Sequence, residues 1–95
     1  MVMTPPNDQQ MTVAQLRTTH RAGGILAATL IPHGSQFFIA AEVRTGGRAV
    51  VVRKDRHPRL FKDPATALRL LRDMGFASVC VDLANWNERQ PQLAA

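Results

Sequence analysis

Residues 36–54 constrain the fold of this chain more than any other segment. Apolar and polar residues alternate on both sides of a glycine pair that can form a turn. Over residues 36–44 apolar side chains occupy every second position, a period typical of a β-strand that buries one face. The pair Gly46-Gly47 accepts the positive φ angles of a tight hairpin turn. Residues 49–54 then return as the partner strand, with Val50 and Val52 on the face predicted to be buried. The segment therefore predicts an antiparallel hairpin.

The residues before this hairpin predict one further strand and a short helix. Residues 25–31 form an apolar run that is bounded by glycine and proline, which favours a strand over a helix. Residues 11–21 carry helical periodicity, with Thr12 as the cap and Gly23 and Gly24 as the end. Residues 1–10 contain adjacent prolines and no apolar periodicity, so they are expected to form a flexible tail.

The second half of the chain predicts the main helix. Asp63 is a good N-cap, Pro64 suits the first helical position, and Gly75 is placed to end the helix, so the predicted span is Pro64–Met74. Arg69 and Asp73 are four residues apart on this helix and are expected to pair. Residues 79–83 then predict a last strand that buries a cysteine.

Together these elements predict the α+β class: a small antiparallel sheet of three to five strands, one main helix packed on it and a short N-terminal helix. The chain has 95 residues, enough for one domain, which we expect to span residues 11–87, with a frayed tail over residues 88–95. The expected core consists of ten side chains: Ile25, Phe37, Ile39, Val43, Val50, Val52, Leu68, Leu71, Met74 and Val81.

Basic residues are concentrated in one part of the sequence. Residues 44–72 hold nine of the twelve lysines and arginines and only two acids, so this stretch has a formal charge of 9 − 2 = +7 in a chain of net charge +5. Basic side chains that neutralise phosphates release condensed counterions, and segregated positive charge is therefore typical of nucleic-acid-binding proteins. An ordinary solvated surface that favours arginine is the alternative interpretation.

The predicted partner is DNA, most simply a duplex, held by a hairpin and a helix rich in arginine. The predicted contact residues are Arg44, Arg48, Arg53, Lys54, Arg56, Arg59, Arg69 and Arg72. If these residues form one positive face, DNA binding is favoured. If they are dispersed, the chain is better explained as an interaction adaptor or small homodimer that uses the sheet edge or the Phe38 face.

Catalytic and cofactor sites are not predicted. The three histidines, His20, His33 and His57, lack the spacing of a metal site, and Cys80 has no predicted neighbouring base. The glycine pairs match neither phosphate-binding glycine pattern. We therefore expect a protein that is not an enzyme and needs no cofactor or metal.

The expected location is the bacterial cytoplasm. No apolar run approaches the roughly 18 residues that cross a bilayer, and the first ten residues lack the basic and apolar regions of a signal peptide. A lone cysteine cannot form an intramolecular disulfide, which fits a reducing compartment.

Residues 59–76, followed by the segment Val81-Asp82-Leu83-Ala84-Asn85-Trp86, resemble the ParC-type partition-associated proteins of plasmids and integrative elements. They are similar, more loosely, to the arm-type DNA-binding domains of tyrosine recombinases, in which a three-stranded sheet leads through a phenylalanine into a helix rich in alanine and leucine. The similarity covers residues 36–86, and the strand after Gly75 departs from the recombinase pattern. The resemblance implies a role in mobile-element maintenance, with DNA or a partition protein as partner.

Overall fold

The computed structural model describes residues 8–84, which form an α+β domain and confirm the predicted class. The chain begins with a short strand and a helix, continues through three strands, and ends with the main helix and a brief strand. The elements are β1 (Asp8–Met11), α1 (Val13–Arg21), β2 (Ile25–His33), β3 (Gln36–Val43), β4 (Arg48–Val51), α2 (Pro64–Met74) and β5 (Cys80–Val81). The tail predicted for residues 88–95 lies outside the described residues.

The five strands form one mixed sheet in the order β1-β4-β3-β2-β5. The antiparallel prediction is correct for β2, β3 and β4 and wrong for both edges, since β1 runs parallel to β4 and β5 runs parallel to β2. The reason lies in the connections, because each edge strand is joined to the rest through a helix. A helix carries the chain back to the end where the previous strand began, so the strands on either side of it run in the same direction.

The β3–β4 hairpin forms where the alternating pattern predicts it. Gly46 and Gly47 have φ angles of 116° and 84°, the left-handed region that a tight turn requires and that glycine adopts without a steric penalty. The strand β4 is shorter than predicted and ends at Val51. The chain turns soon afterwards, and the amide of Arg53 donates to the carbonyl of His57 at 2.8 Å.

Helix α1 begins at its predicted cap but is preceded by a strand rather than a tail. The Thr12 hydroxyl accepts from the amide of Gln15, while the Gln15 side chain accepts from the Thr12 amide, so the two residues form a capping box. Met11 pairs with Val51 in the sheet. The flexible tail predicted for residues 1–10 is therefore wrong at residues 8–10, while residues 1–7 lie outside the described part of the chain.

Helix α2 has the predicted bounds. The Asp63 carboxylate accepts from the amide of Ala65 at 3.0 Å, and Gly75 adopts a left-handed φ of 105° after the last helical residue. The helix therefore begins and ends where residues adjacent in the sequence specify.

The core lies between the two helices and one face of the sheet. Six of the predicted core residues are buried in it: Ile25, Phe37, Ile39, Val43, Leu71 and Met74. The remaining members of this core are Leu16, Ala28, Leu30, Ala41, Ala49, Val51, Phe61 and Ala67. Val52 is also buried, but outside this core cluster.

The prediction of burial in the core is wrong for three residues. Val50 pairs with Ala40 on the opposite face of the sheet, because the register places Ala49 and Val51 of β4 toward the helices. Leu68 is 39% exposed on α2. Val81 is 41% exposed because β5 is a two-residue edge strand, and Cys80 beside it is exposed rather than buried as predicted.

Both helices are shorter than a helix that spans the hydrocarbon core of a bilayer. Within residues 8–84, neither α1 nor α2 combines the length and the apolar character that crossing a membrane would need.

Candidate nucleic-acid interface

The predicted contact residues fall at two opposite ends of the sheet and on the helix layer. Strand β4 runs from the β3–β4 hairpin to the segment 53–62, which connects it to α2. At a rise of about 3.3 Å per residue, Arg48 and Arg53 are separated by roughly 16 Å along this direction. We call residues 53–62 the basic turn.

The basic turn is the most highly charged part of the described chain. It carries five basic side chains and a single acid, Asp55, and hence a formal charge of 5 − 1 = +4 in ten residues, all of them exposed except Phe61. The five basic residues are Arg53, Lys54, Arg56, Arg59 and Lys62.

Backbone hydrogen bonds hold the basic turn in one conformation. The Arg56 amide donates to the carbonyl of Arg53 at 2.9 Å, and the Arg59 amide donates to the carbonyl of Val51 at 3.0 Å. Further along, Phe61 and Phe37 exchange two hydrogen bonds of 2.9 and 2.7 Å. The side chains of the turn are therefore carried on an ordered backbone, which reduces the entropy lost when a ligand binds.

The one carboxylate of the basic turn is bound by other residues of the same turn. Asp55 forms an ion pair with the Arg53 side chain and accepts from the His57 amide at 3.1 Å. The hydrogen bond from the Arg53 side chain, followed by the one from the His57 backbone, lowers the pKa of Asp55 from 3.8 to about 2. Asp55 thus orders the turn and compensates the charge of Arg53. Lys54 and Arg56 have no ion-pair partner among the described residues.

Arg56 occupies an unusual backbone position. Its φ is 74°, and it is the one non-glycine residue with a positive φ between residues 8 and 84. An L-residue in this left-handed region costs about 1–2 kcal/mol, and such strain is concentrated at functional sites. The guanidinium of Arg56 also donates to the side-chain oxygen of Gln10 at 3.4 Å, which links the turn to β1.

The basic turn forms one wall of a solvent-open cleft of about 200 Å³. The opposite wall comes from the end of β1 and the start of α1. The lining residues are Gln10, Thr12, Gln15, Val52, Arg53, Lys54 and Arg56. Three cationic side chains and two amide side chains therefore converge on one space, an arrangement of donors that suits phosphate oxygens.

Arg59 lies on the same turn and is held by an aromatic ring. Its guanidinium carbon is 5.5 Å from the centroid of the buried Phe61 ring, a cation–π geometry. Lys62 follows directly and is exposed. Lys62, Gln10, Thr12 and Gln15 were not among the predicted contact residues, and Gln10 could not be identified because it was assigned to the tail.

Arg44 and Arg48 lie at the hairpin end and do not join the basic turn. The Arg44 side chain donates to the carbonyl of Gly23 at 2.7 Å and so fastens the hairpin to the end of α1. Arg48 lies opposite Glu42 in the register between β3 and β4, on the face of the sheet away from the helices.

Arg69 and Arg72 lie on α2, where they line a separate cleft of about 310 Å³ together with Leu68 and Phe76. The predicted pair between Arg69 and Asp73 does not form. The side chain of Arg69 is instead 3.5 Å from the Thr66 hydroxyl, and Arg72 lies 3.8 Å from the Asp73 carboxylate. Of the eight predicted residues, the structure brings together Arg53, Lys54, Arg56 and Arg59.

Residues suited to other chemistry are dispersed. In the part of the chain that the structure describes, no three histidine, cysteine or acidic side chains are close enough to hold a metal ion. His20 stacks on Phe76 with ring centroids 3.8 Å apart.

Comparison of the chain with protein-family models, curated protein sequences and solved structures found no significant match. Its function is therefore inferred from the geometry of the site and from the sequence.

Proposed function

We propose that this protein is a non-enzymatic nucleic-acid-binding accessory protein that contacts phosphates through the basic turn. The observation that carries the proposal is the composition and order of this turn: five cations surround one acid, whose charge Arg53 already compensates, on a hydrogen-bonded backbone. Duplex DNA is the proposed partner, because an exposed cationic turn can contact a phosphate backbone without unstacking bases.

The eight predicted residues neither form one continuous positive face nor scatter evenly. Four of them, Arg53, Lys54, Arg56 and Arg59, lie together on the basic turn, and the proposed site is limited to this turn. Arg44 is bound to a backbone carbonyl, and Arg69 and Arg72 lie on the helix layer. Lys54, Arg56 and Arg59 therefore become the proposed phosphate contacts, with Arg53 holding Asp55 and Lys62 extending the surface.

The biological setting belongs to the same proposal. The resemblance to ParC-type proteins supports a role in the maintenance of a plasmid or integrative element in the bacterial cytoplasm. A partition protein would be a further partner in that setting. The single cysteine of the sequence, Cys80, cannot form an intramolecular disulfide, which would fit a cytoplasmic location.

Fluorescence anisotropy with labelled duplex DNA, single-stranded DNA and RNA tests the proposal. The test variant is Lys54→Ala/Arg56→Ala, in the basic turn. The matched control is Arg69→Ala/Arg72→Ala on α2, since each double variant removes two positive charges. If two phosphate contacts are lost in the first variant, the slope of log affinity against log salt should fall by about 1.8. The second variant should keep the slope of the unmodified protein.

Two results would contradict the proposal. Equal losses in both double variants would indicate attraction by net charge rather than a site at the turn. An absence of binding to any of the three nucleic acids at about 50 mM salt, where phosphate contacts are strong, would refute nucleic-acid binding altogether.

A further inference from the structure

The cleft between the basic turn and the start of α1 is lined almost entirely by polar side chains. We call it the donor cleft. It has a volume of about 200 Å³, and among the described residues that line it only Val52 is apolar and none is acidic. Gln10, Thr12 and Gln15 are the lining residues with side-chain oxygens, so the contacts of these oxygens decide whether the cleft attracts or repels an anion.

Each of these three oxygens already accepts a hydrogen bond from a group that can only donate. The Gln10 oxygen accepts from the Arg56 guanidinium at 3.4 Å, and the Gln15 oxygen accepts from the Thr12 amide at 2.8 Å. The Thr12 hydroxyl oxygen accepts from the Gln15 amide at 3.2 Å. Because guanidinium and backbone N–H groups have no acceptor atom, these contacts fix which end of each glutamine amide is the oxygen.

The groups that remain for a ligand are therefore donors. The side-chain NH2 groups of Gln10 and Gln15 make no hydrogen bond within residues 8–84, and the Thr12 hydroxyl keeps its proton. Lys54 and Arg56 add charged donors from the opposite wall. An anion rich in oxygen can accept hydrogen bonds from both walls at once, and such charge-assisted bonds are stronger than bonds between neutral groups.

The charge of the donor cleft matches a phosphate that is attached through a single oxygen. Of the three lining cations, Arg53 forms an ion pair with Asp55, so the cleft keeps a formal charge of 3 − 1 = +2 from Lys54 and Arg56. A terminal phosphate carries about −1.5 to −2 at pH 7 and has three free oxygens. A phosphate within a strand carries a single negative charge and has only two free oxygens.

Both walls of the donor cleft are held in place by contacts within the chain. The Val52 amide donates to the Met11 carbonyl at 2.8 Å, which joins the end of β1 to the start of the basic turn. The bond between Arg56 and Gln10 connects the two walls directly. Donors that are positioned in advance lose less entropy when a ligand binds.

We propose that the donor cleft binds the terminal phosphate of a nucleic-acid strand, an inference that rests on the proposed function and adds a preference for strand ends. A terminal phosphate can enter the cleft, because only one of its oxygens is attached to a sugar. A phosphate within a strand is attached to sugars on two sides, so it contacts the exposed basic side chains outside the cleft instead. These are Arg59 and Lys62.

Fluorescence anisotropy with DNA hairpins of one sequence tests the preference. Each hairpin has a dye in its loop and a single open end, which carries a 5′-phosphate, a 3′-phosphate or hydroxyl groups alone. At about 150 mM salt one of the phosphorylated hairpins should bind at least about tenfold more tightly than the hydroxyl-ended hairpin. A hydroxyl-ended hairpin that is longer by one base pair carries about the same added charge, and it should not show this gain.

Gln15→Glu tests whether the donor cleft causes the preference. Glutamate keeps an oxygen for the Thr12 amide, so the capping box is preserved, but the NH2 donor is replaced by a carboxylate oxygen. Arg69→Gln is the matched control, because each variant lowers the net charge to 5 − 1 = +4. The readout is the ratio of affinities for phosphorylated and hydroxyl-ended hairpins. Gln15→Glu should bring this ratio to about one, and Arg69→Gln should leave it at about ten or more.

A free nucleotide is the other source of the same phosphate chemistry. In an NMR titration, a nucleoside 5′-monophosphate should shift the side-chain NH2 signals of Gln10 and Gln15 only at concentrations well above those of the phosphorylated hairpin. The nucleoside without phosphate should not shift them. Saturation by the nucleotide at a lower concentration than by the hairpin would overturn the assignment to strand ends.

Three further results would overturn the proposal. They are equal binding of phosphorylated and hydroxyl-ended hairpins, equal binding of the phosphorylated and the longer hydroxyl-ended hairpins, and an unchanged preference in Gln15→Glu. In each of these results the hairpins still bind, so the proposed function would survive. Failure of every hairpin to bind at about 50 mM salt would instead refute the proposed function and this inference together.

Discussion

Replacing Arg56 with glycine should stabilise the fold and weaken nucleic-acid binding at the same time. Arg56 has a φ of 74°, which glycine adopts without a steric penalty. Relief of this strain is worth about 1–2 kcal/mol, and the greater entropy of glycine in the unfolded chain offsets about 0.5–1 kcal/mol of it. The net gain in unfolding free energy should be about 0.5–1 kcal/mol.

Thermal unfolding followed by circular dichroism measures this gain. For a domain of this size 1 kcal/mol corresponds to a shift in Tm of about 4–8 °C, so Arg56→Gly should raise the Tm by roughly 2–8 °C. Arg56→Ala is the matched control, because alanine keeps the strain and removes the same guanidinium. Its Tm should stay close to that of the unmodified protein, since only the exposed 3.4 Å hydrogen bond to Gln10 is lost.

Binding should respond differently from stability. Both variants lose the same positive charge, so each should lower the slope of log affinity against log salt by about 0.9, the value for one phosphate contact. A glycine variant that melts no higher than the alanine variant would refute the strain argument. Unchanged affinity in both variants would remove Arg56 from the proposed interface.

Three further predictions concern the fold and the turn. Leu71→Ala should lower the unfolding free energy in urea by about 2–5 kcal/mol, because Leu71 is fully buried beneath α2, and a loss below about 1 kcal/mol would show that its contacts are replaceable. Asp63→Ala should lower the unfolding free energy by about 1 kcal/mol in the same assay, because it removes the cap on the Ala65 amide. Asp63→Asn should keep most of this stabilisation. Asp55 has a lowered pKa, so its contribution to the order of the turn should be complete above pH 3.8 and be lost as the pH falls toward 2. An NMR titration of its carboxyl carbon should give a midpoint of about 2, moving back toward 3.8 in Arg53→Gln, and an unchanged midpoint in that variant would contradict the assigned ion pair.

Local sequence was enough to predict the elements whose ends are specified by adjacent residues. Asp63, Pro64 and Gly75 predicted the bounds of α2, and Gly46-Gly47 predicted the hairpin turn, because caps and turns are decided by backbone and side-chain chemistry within a few positions. The basic character of residues 44–72 was equally visible, since charge is a property of composition.

The neighbours of each strand and the contacts between distant side chains depend instead on how the whole chain packs. The faces of β4 were predicted the wrong way round because Val50, Val51 and Val52 are chemically alike, and only pairing with β3 selects the buried set. The cleft beside the basic turn could not be predicted either, because it joins Gln10 to Arg56 across 46 positions of sequence. Such a contact depends on the register between β1 and β4, which local periodicity does not encode.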